Sequence, residues 1–143
     1  MTLRLILVRH GLSTFNKDFR IQGRNNLSTL SREGRLQAIQ TGKFLSEITI
    51  DSAYSSPLTR AAETANNILE QRKQKIQPIF TDDLLEIDLE LWSGLTKDEV
   101  KSKFPVDYQT WKKEPKDLLL RRANGIEYSP VKEIMSQAEV FIK

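Results

Sequence analysis

Residues 3–11 read Leu3-Arg4-Leu5-Ile6-Leu7-Val8-Arg9-His10-Gly11, and the fold turns on how they are read. Leu3 to Val8 is a short apolar run rich in branched residues, with no alternation of polar and apolar positions. Such a run predicts a strand buried on both faces, which implies a parallel sheet covered by helices. Ligands of such sheets lie beyond the carboxyl ends of the strands. Arg9, His10 and Gly11 fall at that place.

Downstream, a polar loop runs on through Asn16 to Asn26. Ser31 then caps a helix expected to reach about Ser46, with Ala38, Ile39, Gly42 and Leu45 on its apolar face. A weak second strand is expected at Ser52 to Ser55. The next helix is expected to start at Ser56-Pro57, with serine at the cap and proline in the first helical position. Its buried face holds Ala61, Ala65, Ile68 and Leu69. Ile76 to Phe80 reads as a third strand, which Pro78 places at an edge. Thr96-Lys97-Asp98-Glu99 has capping-box spacing and opens a short helix that ends before Pro105. Pro105 to Tyr128 is charged and reads as irregular. Ser129-Pro130 begins a last helix, in which Val131, Ile134, Met135, Ala138, Phe141 and Ile142 follow the helical period. The order strand, helix, strand, helix, strand gives an α/β class. The expectation is a three-layer sandwich with a mainly parallel sheet flanked by helices, in a single domain over residues 1–143.

Composition narrows the chemistry. The chain of 143 residues has no cysteine, which excludes disulfides, thiolate catalysis and cysteine-based zinc sites. It has one histidine, too few for a site that needs two imidazoles. The formal charge of +3 is spread along the chain, without the clustered Lys/Arg and interleaved aromatics of a nucleic-acid surface. The apolar run at the start is too short for a leader, and no stretch reaches membrane-spanning length. The expectations are therefore a cytoplasmic protein, no nucleic-acid or membrane partner, and no metal; oligomeric state stays open.

What remains is anion chemistry. Phosphoryl transfer through a protein group needs a nucleophile, cations around the equatorial oxygens and an acid for the leaving oxygen. His10 offers a nucleophilic nitrogen and Arg9 a bidentate fork. Gly11 lets backbone pass close to a ligand. Arg60 sits near the positive start of a helix. Asn16 and Gln22 offer side-chain amides.

Several ordered blocks carry a resemblance. They are Leu-Val-Arg-His-Gly at 7–11, Ser13-Thr14-Phe15-Asn16, Ile21-Gln22-Gly23-Arg24, and Leu30-Ser31-Arg32-Glu33-Gly34 with Gln37-Ala38. Then come Ser55-Ser56-Pro57-Leu58-Thr59-Arg60-Ala61-Ala62-Glu63-Thr64-Ala65, Leu85-Glu86, and Leu91-Trp92-Ser93-Gly94-Leu95. In this order the chain resembles the histidine phosphatase superfamily, which contains cofactor-dependent phosphoglycerate mutases and many small-molecule phosphatases. The resemblance covers about residues 3–97.

It implies a phosphohistidine at His10, with Arg9 and Arg60 holding phosphoryl oxygens. It places Gly11, Asn16, Gln22 and Gly23 along the phosphate or substrate, and gives Glu86 the role of proton donor. The expected partner is a small phosphorylated metabolite, with no metal or other cofactor. The first functional reading is a phosphomonoesterase, favoured by Gln22-Gly23-Arg24. The second is a 2,3-bisphosphoglycerate-dependent phosphoglycerate mutase. A third, of another class, is an inactive truncated remnant that binds phospho-ligands. Three departures shape these readings. The family's second pocket histidine has no counterpart here, so the last strand and that histidine are expected to be missing from a C-terminally incomplete domain. Leu12 stands where many relatives carry Glu, and Leu89 where the mutases carry an aromatic residue.

Overall fold

Residues 3–142 are described by the computed structural model. A short helix α1 (Thr14–Lys17) interrupts what reads from sequence as a loop; Ser13 caps it reciprocally with Asn16. Helix α2 (Arg32–Leu45) begins where expected, with the Ser31 side chain accepting from the Gly34 N–H and Gly34, Ala38, Gly42 and Leu45 buried. Strand β1 (Tyr54–Ser55) leads to helix α3 (Thr59–Leu69), which lies against α2. The start of α3 corrects the sequence reading by two residues. Leu58, not Ser56, occupies the cap position, and no side chain of the cap residue closes it. Asn26 does that work from the preceding loop, accepting from the Thr59 N–H at 2.7 Å. A cap supplied across 33 residues leaves no local signature.

Strand β2 (Ile79–Phe80) pairs parallel with β1, Tyr54 opposite Ile79 and Ser55 opposite Phe80. The parallel crossover predicted from the strand–helix–strand order is therefore present, but the ladder is two residues long. The segment 3–8 is the main correction. Among the described residues it belongs to no ladder. Leu3 is 90% exposed, Leu7 85% and Leu5 67%, so the strand buried on both faces is not formed. An apolar run reports that a segment gains by burial. It does not name the strands that must flank it, and a strand exists only through its neighbours.

Two 3₁₀ turns (Asp82–Leu84 and Glu90–Trp92) follow, then α4 (Lys97–Lys103) behind the expected Thr96/Glu99 capping box. The region read as irregular is ordered: α5 (Pro105–Lys113), a 3₁₀ turn at Pro115–Asp117, and an antiparallel pair β3 (Leu120–Arg121) and β4 (Glu127–Tyr128). It supplies much of the larger core. Leu118, Leu120 and Tyr128 pack with Leu89, Trp92 and Val100, and Phe104, Tyr108 and Trp111 close over them. Trp92 and Trp111 meet edge to face at 6.1 Å. Phe104, Tyr108 and Trp111 lie at i, i+4 and i+7, a helical signal hidden by the lysines around them. A second, smaller core of Ala38, Leu45 and Ile68 seals α2 on α3.

Helix α6 (Pro130–Ile142) starts as expected. Its apolar row is only part covered: Phe141 meets Tyr54 edge to face at 5.6 Å, whereas Met135 and Ile142 are exposed. No helix among the described residues is long and apolar enough to cross a membrane.

Candidate active site

The backbone at Gly11 sets the site. A Cβ there would lie 2.3 Å from the Gly34 carbonyl oxygen, and a Cβ on Gly34 would lie 2.1 Å from that of Leu12. The 11–12 segment thus runs directly against the first turns of α2, which only two glycines permit. Three further bonds fix it: Gly11 N–H donates to Thr64 Oγ1 (3.1 Å), Leu12 N–H to Gln37 Oε1 (2.9 Å), and Ser31 N–H to the Leu12 carbonyl (2.9 Å).

His10 stands just before this anchor. Its Nδ1 lies 2.7 Å from the Gly11 carbonyl oxygen. A carbonyl only accepts, so the proton sits on Nδ1 and the lone pair is on Nε2. That nitrogen is faced by Gln22 Nε2 at 3.5 Å. The orientation of Gln22 follows from its other end. Oε1 accepts from the Ser13 hydroxyl (2.6 Å) and the Ser28 hydroxyl (2.8 Å), both serines being fully buried. The amide N–H therefore points at the imidazole. Burial pulls the His10 pKa below 6.5; the Gly11 bond opposes this, Arg60 adds to the lowering, Glu86 opposes it and Arg9 adds again. The sum favours the neutral ring.

Arg60 reaches the site from the first turn of α3 and is wholly buried. Its Nη2 donates to the Gly23 carbonyl (2.7 Å) and its Nη1 to that of Asn25 (2.9 Å). Gly23 presents its carbonyl from a left-handed conformation, φ 51°, that glycine adopts without strain. Burial lowers the Arg60 pKa and the neighbouring Glu86 raises it; an arginine stays cationic throughout. Glu86 Oε2 is 3.6 Å from Arg60 Nη2, and the carboxylate is 39% exposed.

A cleft of about 350 Å³ opens beside His10, lined by Arg9, Leu12, Asn16 and Gln37 as well. Asn16 Oδ1 accepts from the Ser13 backbone N–H (3.5 Å), which leaves its NH₂ end as the donor for a ligand. The residues singled out in the sequence are thus brought together: His10, Arg9 and Asn16 on the cleft, Gln22 on the imidazole, Arg60 and Glu86 beside it, Gly11 and Gly23 in the backbone. Thr64 and Gln37 lie in the motif blocks without a role of their own there, and Ser28 escapes a sequence reading, because serine, threonine and glutamine reveal what they hold only once their partners are known.

The arrangement sets a neutral imidazole on a cleft it shares with the Arg9 guanidinium and the Asn16 amide, with Arg60 and the Glu86 carboxylate near it.

The chain is similar to known phosphatases and phosphoglycerate mutases. A 2-carboxy-D-arabinitol-1-phosphatase from Triticum aestivum is 38% identical over 136 residues, 95% of this chain and 26% of that protein. A 2,3-bisphosphoglycerate-dependent phosphoglycerate mutase from Bartonella henselae is 40% identical over 117 residues, 79% of this chain and 56% of that protein. Among solved structures, Bacillus stearothermophilus YhfR superposes with a TM-score of 0.81 at 27% identity, covering 94% of this chain and 62% of that one. The chain spans about a quarter to just over half the length of these curated relatives. Residues 5–138 match the family model, and with the ordered motifs around His10 this places the chain in the histidine phosphatase superfamily (branch 1).

Proposed function

We propose that this chain carries the phosphoryl-transfer centre of a phosphomonoesterase that acts on a small phosphate ester through phosphohistidine. One observation carries the reading: His10 Nδ1 is bound to a carbonyl, which leaves the lone pair on Nε2, and His10 shares a cleft with Arg9 and Asn16. The Nε2 lone pair attacks phosphorus as the P–O bond to the leaving group breaks. Arg9, Arg60 and Asn16 hold the equatorial oxygens, where preorganised donors contribute most of the acceleration. A protonated Glu86 gives its proton to the departing oxygen. A water then attacks the phosphohistidine, Glu86 taking up its proton, and inorganic phosphate leaves. In the free protein two Arg60 nitrogens rest on the Gly23 and Asn25 carbonyls. Arg60 therefore acts on phosphate from a fixed position, by charge and by its remaining N–H groups.

The presence of a phosphoglycerate mutase among the relatives favours a second reading, in which a substrate hydroxyl takes the phosphoryl group in place of water. The single histidine of the chain supports the third, a phospho-ligand binder without turnover. One experiment separates them. The chain is incubated with p-nitrophenyl phosphate and with 3-phosphoglycerate, quenched, and assayed for acid-labile phosphoprotein, free phosphate and 2-phosphoglycerate. Phosphoprotein with phosphate release is expected. Mutase turnover with negligible phosphate would replace the first reading by the second, and phosphate binding without phosphoprotein by the third.

A further inference from the structure

Helix α6 lies away from His10, yet one of its residues reaches the segment that carries Glu86. Gln137 Nε2 donates to the Asp83 carbonyl (3.0 Å) and the Leu85 carbonyl (2.9 Å). Both its hydrogens are thereby committed to backbone oxygens next to Glu86. Its Oε1 accepts from Arg24 Nη2 at 2.8 Å. The same Arg24 donates through Nε to the carbonyl of Glu86 itself, at 2.9 Å. Arg24 directly follows Gly23, whose carbonyl holds Arg60, and Arg60 stands 3.6 Å from the Glu86 carboxylate. Glu86 is therefore held at both ends, its backbone by Arg24 and its carboxylate by Arg60, and Gln137 closes the ring. The helix itself is fixed nearby. Arg122, stacked 4.0 Å over the Tyr128 ring, donates to Glu133 on α6 (2.8 Å) and to Asp88 on the strand-like segment after Glu86.

We propose that Gln137 and Arg24 form a clamp that positions Glu86 for proton transfer to the leaving oxygen, so that α6 is a working part of the catalytic centre. The proposal rests on the reading of Glu86 as the proton donor. Its physical basis is that Glu86 follows a 3₁₀ turn (Asp82–Leu84) and an extended Leu85, outside any helix or strand that would set its backbone. Three side-chain bonds hold the segment, one of them from the cationic Arg24, and a fourth joins Arg24 to Gln137. A proton donor displaced by about 1 Å loses up to roughly a hundredfold in rate.

The test is single-turnover phosphoenzyme formation on the whole chain, with p-nitrophenyl phosphate as the good leaving group and an alkyl phosphate as the poor one. Gln137→Met keeps length and loses every bond; Gln137→Glu keeps the acceptor for Arg24 and loses the two donations. Gln137→Met is expected to slow the alkyl ester about tenfold to a hundredfold and the p-nitrophenyl ester less than about twofold, with Gln137→Glu between it and the parent. The double variant Glu86→Gln with Gln137→Met should be no slower on the alkyl ester than Glu86→Gln alone. Equal slowing of both esters, or additive losses in the double variant, would overturn the clamp, and if the Met variant fails to fold the Glu variant decides by the same criterion. The underlying reading fails separately: Glu86→Gln alone would then slow both esters alike. Absence of phosphoenzyme from either ester in the parent chain would remove both.

Discussion

At the scale of the residue, His10 combines two demands. It must keep a lone pair on Nε2, and it must tolerate burial between cations. The Gly11 carbonyl meets the first demand by fixing the proton on Nδ1. Desolvation meets the second by disfavouring the charged ring. Because the chain has one histidine, its imidazole gives one set of ring-proton resonances, and its titration is directly readable. We expect a midpoint below 6.5. The linkage sign follows. The folded-state pKa is depressed, so the neutral ring's contribution to stability is full above pH 6.5 and is lost as pH falls through the lower folded value. His10→Asn should flatten that part of the stability profile measured by urea denaturation. A midpoint above the reference, or a profile unchanged by the substitution, would contradict this. His10→Ala should abolish acid-labile phosphoprotein while leaving the fold intact, checked by trapping and circular dichroism on the same sample. The motif around His10 is legible in the sequence as a block. The tautomer is not, because it depends on a carbonyl angle and on two serines that turn Gln22 round.

At the scale of the element, helix starts illustrate which signals are local. Thr96 and Glu99 bond reciprocally within four residues, so their box is readable and α4 begins where it says. Thr96→Ala should cost about 1 kcal/mol, read as a shift in urea midpoint at constant slope. The cap of α3 comes from Asn26 and is invisible locally, which is why Ser56 misleads. Asn26→Ala is therefore expected to destabilise the protein by a similar amount, about 1 kcal/mol, though Asn26 is far from α3 in sequence. Helix α2 gives the sharper case. Gly34→Ala improves helix propensity by about 1 kcal/mol in an isolated helix. Here the added methyl would enter the Leu12 backbone, at 2.1 Å from its oxygen. The overlap decides the sign. We expect a net loss of about 3 kcal/mol or more, together with loss of phosphate binding, since the 11–12 segment must move. A stabilised Gly34→Ala protein would show that the two backbones are not in contact.

At the scale of the molecule, the larger core lies away from the parallel pair, under the 3₁₀ turn that ends at Trp92. Trp92 is 1% exposed, so truncation to Ala should cost about 3–5 kcal/mol and is checked by denaturant unfolding. Among the described residues its buried Nε1 has no hydrogen-bond partner, so Trp92→Phe should cost clearly less than Trp92→Ala. Family, helix α2, the α4 box and the start of α6 were all present in the sequence. Each rests on short-range pattern: a motif block, a capping spacing, a helical period. The tertiary structure alone decided the rest. It withheld a ladder from segment 3–8, because an apolar run does not name its neighbours. It ordered 105–128, because Phe104, Tyr108, Trp111, Leu118 and Leu120 bury against Trp92 despite the charges between them. It brought Gln22 to the imidazole through Ser13 and Ser28, set Arg60 and Glu86 near it, and tied Arg24 and Gln137 to the segment that carries Glu86. Hydrogen bonds between residues tens of positions apart, such as Arg60 to Gly23 and Gln137 to Leu85, exist only after the chain has folded, and no short-range pattern announces them.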